Sequence, residues 1–350
     1  MSSRLVLIAA LLTGCAHPGG GGASTVFHQP EAGERHLRNI RQLTFGGNNA
    51  ESYFSRSGKQ LIFQRTEKID EGCDQEYLIN IDGSGLRRIS NGWGRTTCGF
   101  FYDGDHRVLY ASTFAHDHAC PPRPDRSQGY VWPIGNLEIY TSKTDGSDLR
   151  ALTSNGAYNA EATVSPDGKT IIFTSTRDGD IDLYTMNLQG GDVHRITSRV
   201  GYDGGAFFSP DGKKIVWRAA YPMTAADSAD YLRLLHNHLV RPARVELWVA
   251  NADGSNATQI THLGGANFAP YFHPDGKRII FSSNFESPKS GAFDLFLINV
   301  DGTGLEKVTT HPDFDSFPMF SPDGRKLVWA SNRHGRESGE TDVFIADWVD

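Results

Sequence analysis

Short apolar runs alternate with glycine-centred polar turns along most of the chain, and the alternation repeats. The stretches "VSPDGKTIIFTSTRDGDIDLYTMN" (164–187), "FSPDGKKIVWRAA" (208–220), "FHPDGKRIIFSSN" (272–284) and "FSPDGRKLVWASN" (320–332) share one layout, and "FSRSGKQLIFQRT" (54–66) and "FYDGDHRVLYAST" (101–113) are looser copies. In each, a Gly-containing turn separates two short strands. Asp-Gly between alternating apolar runs predicts a tight hairpin, because such a turn needs positive φ. A third strand follows, marked by an acid before an apolar-aromatic pair: Glu138-Ile139-Tyr140, Asp182-Leu183-Tyr184, Glu246-Leu247-Trp248, Asp294-Leu295-Phe296 and Asp342-Val343-Phe344. A second turn leads to a fourth strand ending in Ile89-Ser90, Leu152-Thr153, Ile196-Thr197, Ile260-Thr261 or Val308-Thr309.

The sixth unit has no fourth strand of its own, whereas Leu43-Thr44 in "RNIRQLTF" is a fourth strand with no unit before it. The N-terminal strand is therefore predicted to complete the last sheet and close a ring. Four-stranded sheets repeated radially and closed in this way protect every sheet edge. The predicted fold is all-β: a six-bladed β-propeller of four-stranded antiparallel blades, closed by the N-terminal strand, with one short helical insertion. That helix is expected in "SADYLRLLHNHLV" (228–240), where Leu232, Leu235, Leu239 and Val240 recur at helical spacing. It belongs to one of two long insertions, 114–135 and 219–244. Both join second to third strands, so both should cover the same face, and elaborated loops on a rigid scaffold are where function concentrates.

The "SPDGKxIxFxS…DLYxxNxDGxxxxxLT" repeat resembles the TolB-type propeller family, in its bacterial lipoprotein form, over residues 37–350. The resemblance implies the fold; because one fold serves many roles, it implies less about activity. TolB itself carries an α/β domain before its propeller and works in an envelope complex. Here residues 16–36, with "GGGG" at 19–22, read as a flexible tether instead.

Residues 1–15, "MSSRLVLIAALLTGC", pair Arg4 with an apolar core from Leu5 to Leu12 that is too short to span a bilayer as a mature helix. Leu12-Thr13-Gly14-Cys15 resembles the bacterial lipobox, which implies a signal peptide and lipidation at Cys15. By the same resemblance, Ala16 after the cysteine points to the periplasmic side of the outer membrane, with the lipid as the only membrane contact. A net charge of −7 gives no basic face and hence no nucleic-acid partner. An exported chain permits one disulfide among Cys73, Cys98 and Cys120, leaving one thiol over.

The run "FAHDHACPPRPDR" (114–126) carries the densest candidate chemistry. His116 and His118, at i and i+2 of an extended segment, can face one way. Either they belong to a solvated loop, or they share a divalent metal with a third ligand such as Glu161. Prolines after Cys120 stiffen the loop and present Arg123 and Arg126 with Asp125 between them. Tyr130 and Trp132 follow, suited to stacking on a sugar or clasping a peptide. The loops between blades add Glu51, Tyr158, Asn159, Glu161, Tyr202, Asp203, Asn267 and Asp315 around the channel mouth. No G-x-S-x-G elbow, H-E-x-x-H motif or P-loop occurs in the chain.

Two functions follow as expectations. The first is a non-catalytic binding propeller that needs no cofactor and recognises an envelope protein, peptide or polysaccharide. Its ligand face would comprise Arg123, Asp125, Arg126, Tyr130, Trp132, Tyr158, Glu161, Tyr202, Asp203 and Asn267. The second is a metal-dependent carbohydrate-active enzyme. Oligogalacturonate lyases are similar propellers that use a histidine-bound divalent ion, which by that resemblance would lie on His116, His118 and Glu161.

Overall fold

A computed structural model describes residues 25–350 apart from 70, 126, 128 and 243. Cys15 and Arg126 therefore lie outside the described residues. Six antiparallel sheets follow the six sequence units. Blade 1 spans Asn48 to Arg88, blade 2 Thr96 to Ala151, blade 3 Asn159 to Arg195, blade 4 Tyr202 to Gln259, and blade 5 Asn267 to Lys307. Blade 6 takes three strands from the C-terminus, Asp315–Phe320, Lys326–Ser331 and Asp342–Trp348, and its fourth, Leu37–Gln42, from the N-terminus. Ring closure thus follows from Leu43-Thr44 as expected: Leu43 N–H donates to Val343 O at 2.8 Å.

Side chains reinforce that seam. Thr44 Oγ1 and Gln42 Nε2 donate to the Asp342 carboxylate at 2.8 and 2.9 Å, and Asn49 Nδ2 of blade 1 reaches the same group at 3.2 Å. The N-terminal addition also extends further than the sequence suggested. Val26–His28 forms a fifth strand on the outside of blade 6, and Glu34 is buried against Arg333, so the end of the segment read as a tether is part of the fold.

The alternation of each strand buries its apolar face between neighbouring blades. Ile171, Phe173 and Tyr184 pack between blades 2 and 3, for example, and Trp329 and Phe344 lie within blade 6. The second and third strands pair in one register throughout, so that Phe63 faces Tyr77, Phe173 faces Tyr184 and Trp329 faces Phe344.

The two insertions meet. Trp132–Pro133 of the first pairs with Leu239–Val240 of the second as a two-stranded ribbon. The helix, α1, runs Ala225–His236 rather than over 228–240. Thr224 and Asp227 form a capping box that starts it earlier, and Leu239–Val240 is drawn out of it by the ribbon. Its inward face is Tyr231, Leu234 and Leu235, leaving Leu232 exposed. The tyrosine accounts for the shift: Tyr231 Oη donates to Gly201 O at 2.6 Å and also bonds Asp180, rotating the helix toward blades 3 and 4.

Cys73 and Cys120 form a disulfide with Cα atoms 5.6 Å apart, tying the first insertion to blade 1, and Cys98 is a buried free thiol. The double variant Cys73→Ser, Cys120→Ser is expected to lose about 2–4 kcal/mol of stability in urea unfolding, because the unfolded chain regains a long loop. A loss under about 0.5 kcal/mol would count against the bridge as a structural staple.

Candidate functional site

One irregularity recurs in all six blades. On the innermost strand the register slips by a bulge, between Ala50 and Tyr53, Thr97 and Phe100, Ala160 and Thr163, Gly204 and Phe207, Phe268 and Tyr271, and Ser316 and Met319. The bulged residues, Glu51, Cys98, Glu161, Gly205, Ala269 and Phe317, all have positive φ, between 52° and 64°. Bulges re-aim a side chain that would otherwise follow the strand's alternation. Five of the six positions hold a non-glycine residue in this costly conformation, which the closed ring enforces.

Two residues further along, an aromatic set blocks the axis. Tyr53 of blade 1 meets Phe207 of blade 4 with ring centroids 5.5 Å apart, a contact between opposite blades that must cross the channel. Phe100 and Tyr271 complete the plug, at 6.2 and 5.3 Å from Phe207. The central channel is therefore a dead-end chamber.

The chamber's polar wall lies on blades 1 to 4. Arg218, on the second strand of blade 4, reaches past Gly205 to pair with Glu161 of blade 3. The glycine makes room for it, since a Cβ at Gly205 would fall 2.0 Å from Arg218 Nη1 and displace the guanidinium. Glu161 also accepts from Thr174 Oγ1 at 2.8 Å and from the Gly205 N–H at 2.9 Å. Burial works against the Arg218 charge, but Glu161 more than offsets it, so the guanidinium stays protonated. Arg218 Nε is buried with no acceptor among the described residues.

Opposite, burial and then the nearby Glu161 charge push the half-buried Glu51 carboxyl up to about 7, against the opposing pull of Cys98 and Arg218. Burial, with Glu51 and Glu161, raises the Cys98 thiol well above its usual range. Since the thiolate is the nucleophile, this cysteine is not an activated one.

The other wall is apolar. Phe268 packs on Phe293 at 4.9 Å and on Phe317 at 5.5 Å, and Phe314 lies 5.8 Å from Phe293. Phe293, Phe314 and Phe317 remain partly exposed. Trp132, on the ribbon, lies over the mouth between the two walls, 5.3 Å from the Arg218 guanidinium, 6.3 Å from Tyr202 and 6.4 Å from Phe268.

The structure divides the residues singled out from the sequence. Glu51, Tyr158, Glu161, Tyr202 and Trp132 converge on the chamber. Asp203 and Asn267 do not: both are fully buried and spent on the fold. Asp203 accepts from Trp217 Nε1 at 2.7 Å and Tyr221 Oη at 2.6 Å. Asn267 donates to Val245 O and Glu246 and accepts from Ser283 Oγ. Asn159 and Asp315 are likewise held, by Glu138 and Ser175, and by Trp329 and Arg333. The residue two positions before each bulge turns into the seam between blades, whereas the bulged residue itself turns inward.

Arg123 and Asp125 are exposed on the outer loop, where Asp125 caps Ser127, and Tyr130 is 55% exposed, accepting from Trp132 Nε1. The proposed metal set is not brought together. His118 stacks on Trp93 at 4.1 Å, His116 lies 3.9 Å from Glu138, and Glu161 is taken by Arg218. Among the described residues no cluster of three or more histidines, cysteines or carboxylates has metal-binding geometry. Arg218 itself went unnoticed in the sequence, although its column in the repeat (Gln64, Ala111, Thr174, Ser282, Ala330) holds no other charge. A surface cavity of about 580 Å³ lies away from this chamber, by the turns of blades 3 and 4 at the opposite end. Its Asp167, Asp211 and Asp253 cap their own turns and leave little free chemistry.

Fold and site together define a closed six-bladed propeller whose axis is plugged by aromatic rings and whose mouth is covered by the Trp132 ribbon. The TolB beta propeller domain profile matches residues 130–226 and 221–339, more than half of the chain, and the chain belongs to that family. Among solved structures it is similar to a putative TolB from Agrobacterium tumefaciens (18% identity, TM-score 0.54, 87% of this chain and 91% of that one). It is also similar to TolB from Acinetobacter baumannii (16%, 0.57, 83% and 63%) and to an oligogalacturonate lyase in complex with manganese (13%, 0.53, 93% and 96%). At these identities the likeness is one of fold. No curated protein matches by sequence.

Proposed function

We propose that this chain is a periplasmic binding propeller, anchored by lipid at Cys15 to the outer membrane, that takes an envelope protein, peptide or polysaccharide at its capped face. The observation that carries this reading is the chamber itself. It is plugged below by aromatic rings, and it sets a buried Arg218–Glu161 pair opposite a partly exposed phenylalanine wall. A concave site with one apolar wall and a few convergent polar groups is the usual form of a ligand site. The lipobox-like "LTGC" and the Cys73–Cys120 bridge both suit an exported protein.

The test is capture from envelope extracts by immobilised protein spanning residues 16–350, beside a Phe293→Ala variant. Wild-type protein is expected to retain a ligand that the variant loses by about tenfold or more, a loss of one anchoring aromatic contact. Equal retention would reject the chamber as the binding centre. Metal analysis of the same preparation bears on the enzyme reading: a stoichiometric divalent ion lost from a His116→Ala, His118→Ala variant would favour the lyase-like alternative.

A further inference from the structure

Resting on the binding reading, we propose that the ligand carries a carboxylate, held by Arg218, next to an apolar group of about one aromatic ring. Arginine offers five N–H donors in a rigid fork. Here Glu161 accepts from Nη2, while Nε is buried and has no acceptor among the described residues. Native structures rarely leave a buried charged donor unpaired, so this one marks where a ligand oxygen belongs. The fork matches a carboxylate in shape as well as charge.

The aromatic faces that could take a ligand cation are already used. Trp132 and Tyr202 present their faces to a positive charge, but Arg218 already occupies them, at 5.3 and 5.6 Å. The hydroxyls of Tyr53 and Tyr158 are close enough to interact with Arg218 and Glu161, and neither bonds a protein group among the described residues. Both tyrosines are held protonated by burial, so each can donate to a second ligand oxygen. Phe268, Phe293 and Phe317, beyond Trp132, supply the apolar complement. Trp132 covers the guanidinium, so a ligand that reaches Arg218 has to displace the indole.

Glu51 makes the site sensitive to pH. The groups around it are Glu161, Cys98, Arg218, Arg95, Tyr53 and Glu76. Below about 7 its carboxyl is neutral and can donate, and above that it presents a negative charge to the incoming carboxylate. Affinity should therefore fall as pH rises through 7.

A free acid and the C-terminal residue of a peptide share this chemistry. The probes are N-acetylphenylalanine, its amide, and a tetrapeptide ending in phenylalanine, titrated calorimetrically into residues 16–350 at pH 6 and pH 8. The acid is expected to bind at least tenfold more tightly than the amide, with weaker binding at pH 8. A tetrapeptide that binds tighter still identifies a peptide terminus as the source, and one that binds less well identifies a small acid. Arg218→Lys keeps the charge but loses the fork and should weaken acid binding at least tenfold. Tyr158→Phe, confirmed folded by circular dichroism, should weaken it about fivefold. Equal affinity for acid and amide overturns the proposal, as does acid binding indifferent to both variants. If the Phe293-dependent envelope ligand is retained while no carboxylate probe binds, this inference fails and the binding reading stands; loss of both rejects both.

Discussion

Glu34→Ala is expected to lower the unfolding free energy by about 3 kcal/mol, the lower end of the cost of taking a partner from a buried ion. Arg333 is 2% exposed, and its guanidinium is shared between Glu34 Oε1 at 2.9 Å and Asp315 Oδ2 at 2.7 Å. Glu34 precedes the closing strand, Asp315 begins the inner strand of blade 6, and Arg333 follows that blade's second strand. One ion triad thus fastens the N-terminal segment to the C-terminal blade. Removing Glu34 leaves the buried Arg333 charge with one carboxylate where it had two. Guanidinium unfolding of residues 16–350 measures the effect; a loss below about 1 kcal/mol would show that Asp315 alone suffices. The double variant Glu34→Ala, Arg333→Met should not recover the loss, since it leaves the fully buried Asp315 carboxylate without its cation.

The second large effect has the opposite sign. Glu76→Leu is expected to stabilise the protein by about 1–3 kcal/mol at pH 8. In the other five blades the corresponding third-strand position holds Ile139, Leu183, Leu247, Leu295 or Val343, all fully buried. Glu76 is equally buried, and neither of its carboxyl oxygens has a hydrogen-bond partner among the described residues. Gly99 makes the room for it, because a Cβ there would lie 2.4 Å from Glu76 Oε2. Burial, with repulsion from Glu51 and Asp74, raises its carboxyl well above the usual range. Such an acid binds its proton more tightly folded than unfolded, so its contribution to stability is greatest in acid. That contribution declines as pH rises from the ordinary glutamate value toward the raised one. The leucine variant should therefore gain more at pH 8 than at pH 5. An equal gain at both would place the effect in packing, and no gain at either would mean the carboxyl is satisfied by water.

The repeat made the architecture legible because every blade solves the same packing problem with the same turn and strand pattern. Leu43-Thr44 even disclosed the closure, since a fourth strand without a sheet has to be paired somewhere. The fifth strand at Val26–His28 left no such trace: it is three residues long, and its Val26 and Phe27 are exposed. The chamber was half legible. Glu51, Tyr158, Glu161 and Tyr202 could be placed at the mouth, but Asp203 and Asn267 could not be told from them, because a bulge changes which residue turns inward without changing the composition. Arg218 and Glu76 were visible in principle as charges in columns of small or apolar residues. Their meaning depends on Gly205 and Gly99, whose missing side chains leave the room, within one blade for Arg218 and across a blade boundary for Glu76.

The bulge at one level of every blade has a consequence for how such a protein diversifies. The seam residues and the interleaved apolar faces are mutually constrained, so changing one disturbs its neighbours. The six bulged positions are held open by backbone geometry and already carry two glutamates, a cysteine, a glycine, an alanine and a phenylalanine. They act as a ring of addresses on a fixed frame, those of blades 1 to 4 read together because Glu51, Cys98, Glu161 and Gly205 touch or polarise one another. New specificity can be written there in small sets of residues, while the scaffold that displays it keeps its stability.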